Sequence, residues 1–378
     1  MKIVTVIGAR PQIIKAVALS RTIRQHFSNE VHEVIIHTGQ HYDDNMSQVF
    51  FDELGIQQPD YNLGVGSASH GVQTAKMIEG IEKILLKEKP DCIVLYGDTN
   101  STLSGAVAAS KIHVPIVHIE AGLRSFNKSM PEEINRICCD HCSTLLFSPT
   151  ATGFKNLINE GFNPDNKKKF TIDNPGIYHC GDVMYDNSKY FATVADKKSK
   201  IIDNEELRGI DFILCTIHRD NNTDQPERLN AIFKALLKIS EDKKTLLPLH
   251  PRTSKLLKIN LKEDLFKKIT DNKNIRILPP ASFLDMIELE RHAQMVVTDS
   301  GGVQKEAFFF QKPCLILRSE TEWKEIVECG AAVITDADED RIFRTYRDFC
   351  DNPPHHFPEI FGDGNAAEFI CKEMLENF

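Results

Sequence analysis

The chain has 378 residues, 41% of them hydrophobic and 26% charged, enough for two globular domains and unlike a disordered or fibrous protein. A formal net charge of -9 argues against nucleic acid as the main partner and leaves room only for a local basic crevice for phosphates. No apolar run reaches transmembrane length, no signal peptide precedes the first strand pattern, and the ten cysteines are scattered, several inside apolar runs (Cys92, Cys215, Cys314), so a reducing cytoplasm and no membrane partner are expected.

Residues 1–8 read as a buried strand, and Arg10 and Lys15 stand at its junction with a helix carrying Ile13, Ile14, Val17, Leu19 and Ile23. A second strand over 33–37 enters the loop 38–43, followed by a helix over 45–54 and a polar loop to about residue 71. Met77, Ile78, Ile81, Ile84 and Leu85 give a helical period over 74–87. The apolar runs 91–97 and 114–119 flank a small-residue helix over 101–111, a β-α-β unit of parallel strands. Asp98 and Glu120 end those runs. They stand at the carboxyl ends of neighbouring strands, where open α/β sheets place ligands, and a carboxylate ending a buried strand must find a partner or a ligand. Such a pair suits acid/base chemistry. Pro131 opens a further helix with Glu132 and Glu133 in its first turn, where for Glu133 alone the favoured reading is complementing the helix dipole. A short strand over 144–148 completes a doubly wound domain.

The segment 153–188 leads out of that domain through the lysine-rich turn 167–169, and the charged stretch 197–209 is expected to be a linker. A second α/β series follows: a strand over 212–217 ending at His218 and Arg219, a helix over 229–239, and strands over 245–249, 275–278, 295–298 and 314–317. The expected fold is α/β, with two Rossmann-like domains and a central cleft: 1–190 carrying the carboxylates, 210–360 binding a nucleotide, and a C-terminal helix in 361–378 free to pack on either. In the second domain Ser300, Gly301 and Gly302 lie between a strand and a helix, where small residues let backbone N–H groups approach a phosphate, and Glu306 could reach a sugar hydroxyl. An ordinary turn is the competing account. With Arg10, Lys15, His218 and Arg219 as cations or titratable groups, the set fits a nucleotide-linked substrate.

Neither G-x-G-x-x-G nor G-x-x-x-x-G-K-[ST] occurs, which disfavours a nicotinamide dinucleotide and ATP hydrolysis; no cofactor is expected. Cys138, Cys139 and Cys142 fall within the Pro131 helix without a distant second ligand pair, so packing is expected there and no metal.

The motifs IGARPQIIK, HTGQHYD, YGDTNSTL, HIEAGLRS, PEEINR, TIHR, TDSGGVQKEA and FGDGNA, in that order, resemble the non-hydrolysing UDP-N-acetylglucosamine 2-epimerase family along nearly the whole chain. The resemblance implies a glycosyltransferase-B type fold, UDP held mainly by the second domain, a homodimer, and interconversion of gluco- and manno-configured UDP-2-acetamido sugars for surface polysaccharides. It maps the catalytic carboxylates onto Asp98, Glu120 and Glu132 and the catalytic histidine onto His218. It maps substrate and UDP contacts onto Arg10, Lys15, Arg136, Ser300, Gly301, Gly302 and Glu306. After the strand 314–317 the chain reads Arg318, then Thr321-Glu322-Trp323-Lys324, where members acting on UDP-N-acetylglucosamine usually carry Arg-Pro-Glu after Thr-Glu. The Thr-Glu-Trp form is more similar to members acting on UDP-2,3-diacetamido-2,3-dideoxyglucuronic acid, where Arg318 or Lys324 could serve a C6 carboxylate. A hydrolysing epimerase, a glycosyltransferase of the same fold and a non-catalytic nucleotide-sugar sensor are the rivals.

Overall fold

The computed structural model describes residues 1–39, 55 and 57–378; the expected loop over 40–43 and helix over 45–54 lie outside the described residues. The chain divides into one unit of Met1–Asn187 with Ile360–Phe378 and a second of Ser188–Glu359. The first unit holds the strands β1 (Lys2–Ile7), β2 (His32–His37), β3 (Tyr61–Asn62), β4 (Cys92–Tyr96), β5 (Ile116–Ile119), β6 (Leu145–Ser148) and β7 (Gly176–His179). They pair in the order β3-β2-β1-β4-β5-β6-β7, every pairing parallel. The second holds β8 (Phe212–Thr216), β9 (Lys244–Pro248), β10 (Ile275–Leu278), β11 (Met295–Thr298), β12 (Cys314–Ile316) and β13 (Ala332–Ile334), ordered β10-β9-β8-β11-β12-β13 and again parallel.

The central strands of both sheets are covered on both faces, which is why they read as unbroken apolar runs: Cys92 to Tyr96 and Phe212 to Cys215 have no exposed surface. Val4, Val6, Ile36, Ile93 and Leu95 pack against Met77 and Ile81 of the helix His70–Glu88 in the first unit. In the second, Ile213, Cys215 and Val297 join Leu229, Phe233 and Leu236 of the helix Pro226–Ile239. Each sheet reverses its winding direction once, between β1 and β4 and between β8 and β11. Crevices for ligands form at such reversals.

The stretch expected to be a linker is not one. The helix Val183–Lys198 runs into it, a short helix Ile201–Asn204 follows, and Ile202 and Leu207 are buried. Its charges outnumber its apolar residues in sequence, but two of its three apolar residues, Ile202 and Leu207, are buried and Ile201 is partly so. The helices Pro251–Asn260, Glu263–Thr270, Phe283–His292 and Glu339–Asp351 add to those the sequence reading names. The last helix, Ala366–Asn377, lies on the helix Arg10–His26 of the first unit. Phe369 sets its ring edge-on to Phe147 and Tyr178, and Ile370, Cys371 and Met374 are buried.

Candidate active site

In the first unit the site residues gather at the β1/β4 reversal. Gln12, buried in the first turn of the helix Arg10–His26, donates from Nε2 to the Tyr96 carbonyl and to Thr102 Oγ1, both at 3.0 Å. That stitches the helix start to the end of β4, and Lys15, nearly one turn on, reaches an ion pair with Glu120. Gly97 lies directly beneath this pair: its φ is +63°, and a Cβ there would stand 3.1 Å from Lys15 Nζ and 3.2 Å from Glu120 Oε2. Glu120 itself takes φ +72°, a conformation that side chains resist and that recurs where geometry serves function. Arg10 opens the helix and is exposed.

Asp98, the next residue after Gly97, forms an ion pair with Arg136, and its carbonyl accepts from Asn135 Nδ2 at 2.9 Å. Arg136 also reaches Glu133 Oε2 at 3.1 Å. Glu133 is buried and does more than complement a dipole. Its carboxylate accepts from the Ser125 and Phe126 amides, both at 2.9 Å, and from the Ser125 hydroxyl at 3.0 Å, so it anchors the loop after β5. Burial works against its charge, but these donors and Arg136 outweigh that and hold the carboxyl below its ordinary range. Its neighbour Glu132 is exposed. The structure thus brings Lys15, Asp98, Glu120 and Arg136 together around Gly97, with Glu133 behind Arg136.

Underneath lies a charged network that the sequence reading does not name. His118, on β5 and fully buried, places Nδ1 2.6 Å from Asp140 Oδ1 and Nε2 2.8 Å from the Gly97 carbonyl. Asp140 Oδ2 accepts from the Gly122 amide at 3.1 Å and from Arg124 at 2.6 Å, and Arg124 continues to Glu160 at 2.7 Å. Both imidazole nitrogens therefore face acceptors, which a ring carries only as the doubly protonated cation. Burial opposes that charge, yet Cys139 and the Asp140 carboxylate beside the ring leave its pKa well above the ordinary value. The network fixes the turns bearing Asp98 and Glu120. The sequence signal was present, a histidine inside an apolar strand run, but its partner lies 22 residues further on.

In the second unit the residues gather at the β8/β11 reversal. His218 follows β8 with a half-exposed ring, and Asp299 follows β11 with none of its surface exposed. Ser300 caps the helix Gly301–Phe309, its hydroxyl accepting from the Val303 amide at 3.4 Å, so Gly301 and Gly302 begin the first turn, where helical N–H groups lack intrahelical partners. Trp323 donates from Nε1 to the Gly301 carbonyl at 3.0 Å, and the Lys305 ammonium lies 4.2 Å from the centre of the indole. Arg318 is held by Glu322 through a two-pronged pair of 2.8 and 3.0 Å. Burial would raise the Glu322 carboxyl, but Arg318 prevails and keeps it low. Glu306 is half-buried and Lys324 is exposed. Cys139 is buried within the helix Pro131–Cys142, and among the described residues no three His, Cys, Asp or Glu side chains group to hold a metal ion.

Residues 24–375 match the profile of the family described as UDP-N-acetylglucosamine 2-epimerase. The chain is 47% identical, over all of both chains, to a UDP-N-acetylglucosamine 2-epimerase homolog of Methanococcus maripaludis. It is 45% identical, again over all of both, to the UDP-2,3-diacetamido-2,3-dideoxy-D-glucuronate 2-epimerase of Pseudomonas aeruginosa. Among solved structures, the Methanocaldococcus jannaschii UDP-GlcNAc 2-epimerase in complex with UDP-GlcNAc and UDP matches with a TM-score of 0.82 and 38% identity, covering all of both chains. The same pair of Rossmann-like units, a fold of the glycosyltransferase-B type, is shared with it. With the profile matching residues 24–375 and relative and fold agreeing over the full length, the chain belongs to the UDP-N-acetylglucosamine 2-epimerase family.

Proposed function

We propose that this isomerase inverts C2 of a UDP-2-acetamido sugar by eliminating UDP across C1–C2 and adding it back. The observation that carries the reading is the pair of carboxylates at the β1/β4 reversal, Asp98 beside Arg136 and Glu120 beside Lys15. The C2 hydrogen has no adjacent carbonyl to acidify it, so direct deprotonation is not a practicable route. In the elimination a base takes the C2 proton, the C1–O bond breaks with its electron pair leaving on UDP, and a C1=C2 bond forms. A proton then enters C2 from the opposite face while the UDP oxygen re-forms the C1 bond. Nothing is oxidised and no atom is lost. The route needs an acid/base group for each face of C2 and donors for the departing UDP.

Asp98 and Glu120, with Glu132 as third carboxylate, take the proton roles in this reading, Lys15 and Arg136 hold them in place, and His218 is the titratable group of the second unit. The pyrophosphate is assigned to the helix start at Ser300, Gly301 and Gly302. Supporting this, the protein itself leaves room for a Cβ at both glycines, the nearest atoms standing 3.6 Å and 3.8 Å away, so packing within the chain does not demand them. Glu306 is assigned to ribose hydroxyls, and Arg10 and Arg318 to charged groups of the substrate. A cytoplasmic homodimer completes the reading, and light scattering should return twice the mass of the chain.

The test is incubation with UDP-N-acetylglucosamine in deuterated water, following C2 by proton NMR, with UDP-2,3-diacetamido-2,3-dideoxyglucuronate in a parallel tube. Deuterium at C2 and a manno product in the first tube support the UDP-N-acetylglucosamine reading. Turnover confined to the second selects the uronate, which Trp323 after Thr321-Glu322 and the Pseudomonas relative favour. No exchange in either tube, with UDP still bound, sinks the proposal.

A further inference from the structure

We infer that Asp299 is the residue that aims His218, fixing which ring nitrogen is presented to the substrate. The inference rests on the reading of His218 as an acid/base group and goes beyond it by naming what orients that group. β8 and β11 are paired in register, Thr216 opposite Thr298 with their hydroxyls 2.6 Å apart, so the residues that follow emerge side by side. The Asp299 carboxylate accepts from the His218 amide at 3.1 and 3.2 Å, from the Arg219 amide at 3.1 Å and from Asn222 Nδ2 at 3.1 Å. Asn222 is itself tied to the Leu317 carbonyl at 2.8 Å, so this donor is fixed.

His218 Nδ1 then stands 3.2 Å from Asp299 Oδ1. The same carboxylate thus grips the backbone of the turn and faces the ring it carries. An ionised carboxylate can only accept, so its approach to this nitrogen favours the tautomer that carries the proton on Nδ1. In the neutral ring that leaves Nε2 bare, and the half-exposed side chain makes Nε2 the nitrogen open to a substrate. Gripping the turn alone would require only the backbone amides; the approach to Nδ1 is what sets the tautomer. A partner of this kind, acting through another residue, has effects that vanish once that residue is gone.

Nitrogen NMR of the histidine rings, with His218→Gln to identify the signal by subtraction, should show Nδ1 of His218 protonated in the wild-type protein. A bare Nδ1 overturns the inference without needing any Asp299 variant to fold. Asp299→Asn turns an amide N–H toward Nδ1 and should lower kcat by about 100-fold or more, while KM stays within about 3-fold. Introduced into His218→Ala, the same change should cost nothing further in kcat. A loss that multiplies in the double variant would make Asp299 a support of the fold or of UDP binding and sink the positioning role. His218→Ala turning over at the wild-type rate would overturn the reading of His218 and the positioning role with it. An inactive His218→Ala together with a bare Nδ1 would overturn the positioning role alone.

Discussion

Glu120 occupies a backbone conformation that glycine adopts freely and a side chain does not, with φ at +72°. Something must repay that cost, and the ion pair with Lys15 over Gly97 is the visible return. Replacing Glu120 by Gln or by Gly removes the charge in both cases but relieves the strain only in the second. Glu120→Gly should therefore be the more stable variant by about 1 kcal/mol in urea unfolding, with both inactive; equal midpoints would deny the strain. Glu133 offers a second test at this scale. Its folded carboxyl is held below the ordinary 4.5, so its stabilisation is complete above that value and lost as pH falls through the folded one. Glu133→Gln leaves the Ser125 and Phe126 amides without their carboxylate and should cost about 1–3 kcal/mol at neutral pH. That difference should shrink in acid below pH 4.5, and a difference independent of pH would mean the charge is not what anchors the loop.

At the scale of elements, the His118–Asp140 contact joins β5, the end of β4 and the helix Pro131–Cys142 through one buried charge pair. Removing one partner strands the other: Asp140→Asn should cost about 3–5 kcal/mol in urea unfolding, because His118 and Arg124 lose the same carboxylate. A loss under about 1 kcal/mol would show the network to be dispensable. This network also marks where the sequence stops being legible. Strands buried on both faces announce themselves as apolar runs, and Asp98 and Glu120 could be placed at strand ends because a strand end is a local property. His118 reads as one more residue of such a run, since its partner comes close only after the Pro131 helix folds back along the sheet. Asp299 was hidden in the same way, a lead-in to Ser300-Gly301-Gly302 until β8 brought His218 beside it. Glu133 was misjudged for a related reason: its first-turn position is visible in sequence, whereas the loop amides it binds are not. The short β13 and the two-residue β3 are too brief for any periodicity to develop.

At the scale of the whole molecule, the chain leaves the first unit at Asn187 and comes back to it at Ile360, which composition and periodicity could not announce. The return is secured by Asp186, whose carboxylate accepts from the Ala366 amide at 3.2 Å and the Ala367 amide at 2.7 Å at the start of the last helix. Burial pushes this carboxyl up to about 6, with Asp182 adding to the rise, while those amides and Arg21 only partly hold it down. Between 3.8, its ordinary value, and about 6 the folded protein therefore binds more protons at this site than the unfolded chain does. Stability must then fall as pH rises through that window and level off above it, the reverse of the Glu133 case. Asp186→Asn cannot ionise and lacks this slope. Other groups titrate in the same range, so the quantity to follow is the difference between wild type and variant. Urea unfolding at intervals from pH 4 to 7 should show wild type losing ground to Asp186→Asn up to about pH 6, after which the two run parallel. Parallel curves throughout would mean that the carboxylate is solvated in the folded state, and that the last helix is held by its apolar face alone.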